Sequence, residues 1–132
     1  MTSPPAIHAE AKFDHNRFLH ALAEVESGDD PNKVGAAGER TRWQITPEVW
    51  KQHLLNWPFA KFSGFHALAR KCADMHLRWL IRSLEVDGVC ITPSTLATCW
   101  RFGLHGGMEL IKAGKIPDSA NRVRNLYYAQ VP

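Results

Sequence analysis

A chain of 132 residues that is 45% apolar and 22% charged has the length and composition of one globular domain with a single core. Its formal charge of +3, with seven histidines besides, is too small to mark a nucleic-acid binder, so no nucleic-acid partner is expected. No apolar run approaches the roughly 18 residues of a membrane span, and "MTSPPAIHAEAKFDH" lacks the basic start and apolar core of a secretory signal.

Residues 1–13 read as an N-terminal extension and 14–132 as the domain. Asp14 can cap a first helix in which Phe18, Leu19, Leu22, Ala23 and Val25 give amphipathic spacing, and Gly28 ends it. Glu26 lies one turn beyond Leu22 and Ala23 and inherits their inward stripe. Burial and the negative end of the helix dipole both raise the pKa of a carboxyl there, whereas stability alone would favour Lys or Arg.

Residues 29–41 are rich in Gly, Asp, Pro and Asn, and "RWQI" then alternates in a β-favouring way, which predicts a small hairpin or extended flap. "TPEVWKQHLL" starts a helix with Thr46 as cap and Pro47 at its first position, and "NWPF" closes it. The longest helix is expected from His66 to about Glu85, with Leu68, Cys72, Met75, Trp79 and Ile81 or Arg82 along one side, until Asp87 and Gly88 end it. "TPSTLATCWRFG" repeats the Thr-Pro start, "GGMELIKAGK" is a short helix between glycines, and "PDSANRVRNLYYAQ" opens on Asp118 as a cap. The expected class is therefore mainly α (α+β): about six helices and one small β-hairpin in a single domain.

Cys72, Cys90 and Cys99 form no C-x-x-C pair, and Cys72 and Cys99 sit in helical patterns as small core residues. The histidines carry no H-E-x-x-H spacing, so no metal site is expected. Of the five tryptophans, Trp50 and Trp79 are assigned to packing.

Glu26-Ser27-Gly28, Pro31-Asn32, Gly38, Gln44-Ile45 and Pro47 together resemble the catalytic signature of the soluble lytic transglycosylases and goose-type lysozymes. The spacing from Glu26 to Gln44 and Pro47 is gapless against the transglycosylase form. Downstream, "LATCWRFG" is similar to the family segment ending in Tyr-Asn-Ala-Gly, with Trp100 at the tyrosine, Arg101 at the asparagine and Gly103 at the glycine. "ANRVRNLYY" resembles the closing Asn-Tyr-Val-Arg helix, with Arg122 at the second tyrosine.

The resemblance implies a lysozyme-like fold and cleavage of the β-1,4 bond between N-acetylmuramic acid and N-acetylglucosamine in peptidoglycan, with Glu26 as general acid and base. Ser27, Trp43, Gln44, Trp100, Arg122 and Tyr127 are then the expected substrate-binding residues, Trp43 and Trp100 because they flank the matched motif. Ser27 is not a nucleophile, having no His and Asp at fixed local spacing, and its expected work is a hydrogen bond that fixes the helix end.

The sequence departs from the family at Thr41, where glycine is usual, at Arg42 and Trp43, where apolar residues are usual, and at Trp100 and Arg122. An arginine near Glu26 would lower the pKa that acid catalysis needs high. A further departure is Glu39, five residues before Gln44, where chicken-type lysozymes carry a second catalytic carboxylate on the hairpin. If Glu39 faces Glu26, hydrolysis becomes open alongside transglycosylation; otherwise it is a loop carboxylate paired with Arg40 or Arg42.

The expected partners are peptidoglycan strands, with no cofactor, no metal and a monomeric state. The site of action is the cell wall or periplasm, reached by other means than a signal peptide or with a leader missing from this sequence. A non-catalytic wall-binding or phage structural module of the same fold is the rival from another class.

Overall fold

A computed structural model describes residues 13–130. The residues before 13, which hold most of the expected extension, and the final two lie outside the described part. The expectation of a mainly helical chain is met. Seven helices run in chain order among the described residues: α1 His15–Ser27, α2 Pro47–His53, α3 Phe59–Phe62, α4 His66–Val86, α5 Pro93–Phe102, α6 Leu104–Lys112 and α7 Asp118–Ala129.

The caps explain most of these boundaries. The Asp14 side chain accepts the Arg17 N–H at 3.0 Å, and Gly28 closes α1 in the left-handed region at φ 68°. Thr46 accepts the Val49 N–H at 3.1 Å with Pro47 behind it. Thr92 and Thr95 form a reciprocal capping box ahead of α5. Gly103, at φ 82°, makes the corner between α5 and α6 unaided. One boundary differs from expectation: Pro117 holds the cap position of α7, and Asp118 is its first helical residue with no side-chain cap bond. Its charge still favours the positive helix end.

The expected β-hairpin does not form. Among the described residues there is one isolated antiparallel bridge, between Arg40 and Ile45, with N–H to O distances of 2.9 and 2.8 Å. The physical reason lies on both sides of that bridge. Residues 41–44 form a tight turn in which Thr41 (φ 75°) and Gln44 (φ 51°) are both left-handed, and Ile45 runs at once into the Thr46 cap. Upstream, the Gly35 N–H is spent on the Glu39 carbonyl and the Gly38 N–H on the Gly35 carbonyl. No length of chain is left to build a ladder. A left-handed β-branched residue such as Thr41 stores strain, of order 1–3 kcal/mol, and here it is buried beside the candidate site.

The core runs from Phe18, Leu19 and Leu22 of α1 through Trp50 of α2 to Leu77, Leu80, Ile81 and Leu84 of α4, Leu96 and Cys99 of α5 and Val123 of α7. Helix α4 packs against α1, α2 and α5, while α7 packs against α1 and α5. The buried face of α4 is Ala69, Cys72, Ala73, His76, Leu77, Leu80, Ile81 and Leu84, so Leu68, Met75 and Trp79 stand at its half-buried edge rather than at its centre. Trp50 is buried as expected. Helix α3, one turn after Pro58, was not foreseen; Phe59 meets Trp50 edge-on at 5.6 Å. Phe13 stacks on Tyr127 at 5.3 Å and so belongs to the packed body.

No described helix is long and apolar enough to cross a membrane. Cys72 and Cys99 are buried, which pushes their thiols up to about 12 and about 11, and Cys90 is exposed; all three are free.

Candidate functional site

Helix α1 ends where the turn of residues 41–44 crosses it. The Ser27 hydroxyl donates to the Arg42 carbonyl at 2.7 Å and accepts the Asp30 N–H at 3.0 Å. It therefore fixes the helix end, and with it the residue before, Glu26. Beside this joint lies a cavity of about 310 Å³ lined by Glu26, Lys33, Gly35, Ala36, Glu39, Gln44, Thr46, Trp100 and Arg101. Glu26, Glu39, Gln44 and Trp100, singled out from the sequence, thus come to one cavity from α1, the flap, the turn and α5.

Burial pushes the Glu26 carboxyl above its usual range; Arg101 opposes that rise, Glu39 reinforces it, and Lys33 and Arg122 oppose it less. The opposition expected of Arg122 therefore comes first from Arg101. Arg122 itself is exposed and does not line the cavity.

Glu39 is held from below, its Oε1 accepting the Ala37 N–H at 2.8 Å. Neither arginine expected to neutralise it does so. Arg42 pairs with Asp29 at 2.8 Å, and Arg40 reaches the Ser63 hydroxyl and lies 5.4 Å from the centre of the Phe59 ring. The Gln44 amide donates to the carbonyls of Lys33 (3.1 Å) and Thr41 (2.9 Å), so its orientation is fixed by backbone. Gly35 makes the arrangement possible: a Cβ there would stand 2.7 Å from Gln44 Oε1, 2.8 Å from the Glu39 carboxyl carbon and closer still to Glu39 Oε1.

Two expected cleft residues lie elsewhere. Trp43 is 3% exposed, and its indole N–H donates to the Leu19 carbonyl at 2.9 Å. The left-handed residues flanking it turn its ring into the core, and only its carbonyl serves the cavity, by accepting the Trp100 indole N–H at 2.9 Å. Tyr127 is buried against Phe13, and its hydroxyl accepts the Asp14 N–H at 3.0 Å, which ties α7 to the start of α1. Lys33, Gly35, Thr46 and Arg101 line the cavity without having been singled out as site residues. Arg101 had a signal, its place beside Trp100 in the matched segment; a glycine needed for its missing Cβ leaves none. Among the described residues no group of three or more His, Cys, Asp or Glu side chains is gathered as a metal site.

Comparison with protein-family models, with curated proteins and with solved structures finds no match to this chain.

Proposed function

We propose that this chain is a peptidoglycan-cleaving glycosidase of lysozyme-like fold, acting on the N-acetylmuramic acid β-1,4 N-acetylglucosamine bond by the lytic transglycosylase route. The observation that carries the reading is Glu26: a carboxyl with its pKa raised by burial, on a polar cavity with a second carboxylate, an oriented amide and an indole. A carboxyl whose pKa is raised holds its proton to higher pH than a solvated one and can deliver it to a glycosidic oxygen as the bond to C1 breaks. The backbone adds support, because the left-handed Thr41 stands where the resemblance has glycine.

In the transglycosylase route the substrate acetamido group assists departure. Glu26 protonates the leaving oxygen, then takes the proton of the muramoyl 6-hydroxyl as that oxygen closes on C1. No second protein carboxylate is needed. The Gln44 amide, locked by two carbonyls, is suited to position the acetamido sugar, and the Trp100 ring to receive a sugar face.

A second reading, hydrolysis, is favoured by one observation: Glu39 shares the cavity with Glu26 and is free of its neighbouring arginines. Glu39 would then orient or deprotonate water. Clearing of a cell-wall suspension tests both. Glu26→Gln should cost at least about a hundredfold, the lower end of general acid catalysis, with folding intact. Glu39→Gln should be nearly silent in the transglycosylase and severe in the hydrolase. Near wild-type clearing by folded Glu26→Gln overturns the assignment.

A further inference from the structure

A second cavity, of about 260 Å³, lies further back along α1, beside Asn16, Leu19, His20 and Ala23, and shares no lining residue with the first. Its polar walls come from three segments: Asn16 and His20 from α1, Asp29 and Arg42 from the joint after it, and His66 and Arg70 from the start of α4. Asp29 is the one carboxylate among the lining residues, and it is already engaged by Arg42. Arg70 gives one N–H to Asn16 Oδ1, and its remaining guanidinium donors are not matched by any carboxylate of the lining.

Arg42 is the informative residue. Its guanidinium lies 5.7 Å from the centre of the Trp43 ring, whose other neighbour is His66, stacked at 6.2 Å. Its Nε is buried with no hydrogen-bond partner. A buried guanidinium N–H without an acceptor is costly, and because this atom has almost no accessible surface, a ligand in the cavity meets it only when the Arg42 side chain turns toward the cavity. We propose that this cavity binds an oxyanion of the phosphate class between Arg42 and Arg70, with His20 and His66 as further donors. A tetrahedral oxyanion accepts from several directions at once and suits donors arriving from three segments, whereas a planar carboxylate offers a single plane. The volume admits a phosphoryl ester as well as free phosphate.

The test is a titration of the full chain by heteronuclear NMR, reading the Arg42 Nε–H and the His20 and His66 rings. Inorganic phosphate forms one arm, glycerol phosphate another, and sodium chloride at matched ionic strength the blank. Saturable shifts at these three residues are expected with phosphate and not with chloride. Tighter binding of glycerol phosphate would identify an esterified phosphoryl group as the ligand, and tighter binding of inorganic phosphate the free ion. Arg42 also serves the first cavity through its carbonyl, so Arg70 carries the mutational arm. Arg70→Gln should weaken the apparent Kd about tenfold or more, and Arg70→Lys should recover part of it. Thermal unfolding accompanies both, because Arg70 bridges α4 to α1; if they fail to fold, His20→Gln replaces them with a weaker loss expected. Shifts that only follow ionic strength, or equal phosphate affinity in folded Arg70→Gln, overturn the proposal.

Discussion

A carboxyl in the last turn of a helix costs stability when ionised, and Glu26 carries that cost together with partial burial. Its folded-state pKa is raised above the unfolded value, so its favourable contribution is fully present below the unfolded pKa of about 4.3 and is lost as the pH rises through the folded one. Glu26→Gln should therefore raise the thermal midpoint at neutral pH, and the gain should vanish below about pH 4. Equal midpoints at every pH would mean that Glu26 titrates as a solvated residue. Gly35→Ala probes the same cavity from beneath. The atoms it would strike are the ends of the Glu39 and Gln44 side chains, which must strain or give up the hydrogen bonds that hold them, so stability should fall by about 1 kcal/mol, while chitooligosaccharide affinity measured calorimetrically falls several-fold. Glu26 was legible because burial, dipole and motif spacing converge on one residue. Trp43 and Tyr127 were not, because proximity in sequence to a motif says nothing of which way a ring turns. Left-handed backbone on both sides of Trp43 sends its indole into the core, and the helical register of α7 buries Tyr127 against Phe13.

Helix ends were the most legible feature of the elements, since Asp14, Thr46 with Pro47, Thr92 with Pro93, Gly28 and Gly103 act through local chemistry that survives any tertiary context. The flap was misread because "RWQI" alternates like a strand, but its neighbours commit the backbone to turns and a cap before a ladder can start. The face of α4 was read one residue off because the helix offers two overlapping apolar stripes. Packing against α1, α2 and α5 chose the one with the small residues Ala69, Cys72 and Ala73. Close approach also governs α5 and α6. A Cβ on Gly107 would stand 2.7 Å from both Cα and Sγ of Cys99 and 3.0 Å from its N, and the backbone atoms among these cannot swing aside. Gly107→Ala should therefore destabilise the fold by about 1–3 kcal/mol in urea denaturation. This outweighs the roughly 1 kcal/mol that alanine gains over glycine within a helix. A stabilised variant would show that the two helices separate freely.

At the scale of the whole molecule, a histidine pair joins α2 to α4 and touches the candidate cleft. His53 Nε2 lies 2.9 Å from His76 Nδ1, and the His76 ring stacks on Trp79 and meets Trp100 edge-on at 5.1 Å. Burial lowers both pKa values, His76 to about 4, with His53 adding to the effect. Both residues are harder to protonate in the fold than in the unfolded chain, which takes up protons below about pH 6.5, so stability is full above that value and falls beneath it. The loss through His76 alone should reach about 3 kcal/mol near pH 4, and His76→Gln should flatten the urea midpoint between neutral and acid pH. Nothing in the sequence announced this pair, because its members are 23 residues apart and meet only when the helices dock. The measurement that tests the central claim most directly is mass spectrometry of purified peptidoglycan digested by the wild-type chain and by Glu26→Gln. The account expects anhydro-muropeptides, lighter than hydrolysed ones by one water, from the wild type and none from the variant. Equal release of muropeptides by both proteins, or none by a folded wild-type chain, would contradict it.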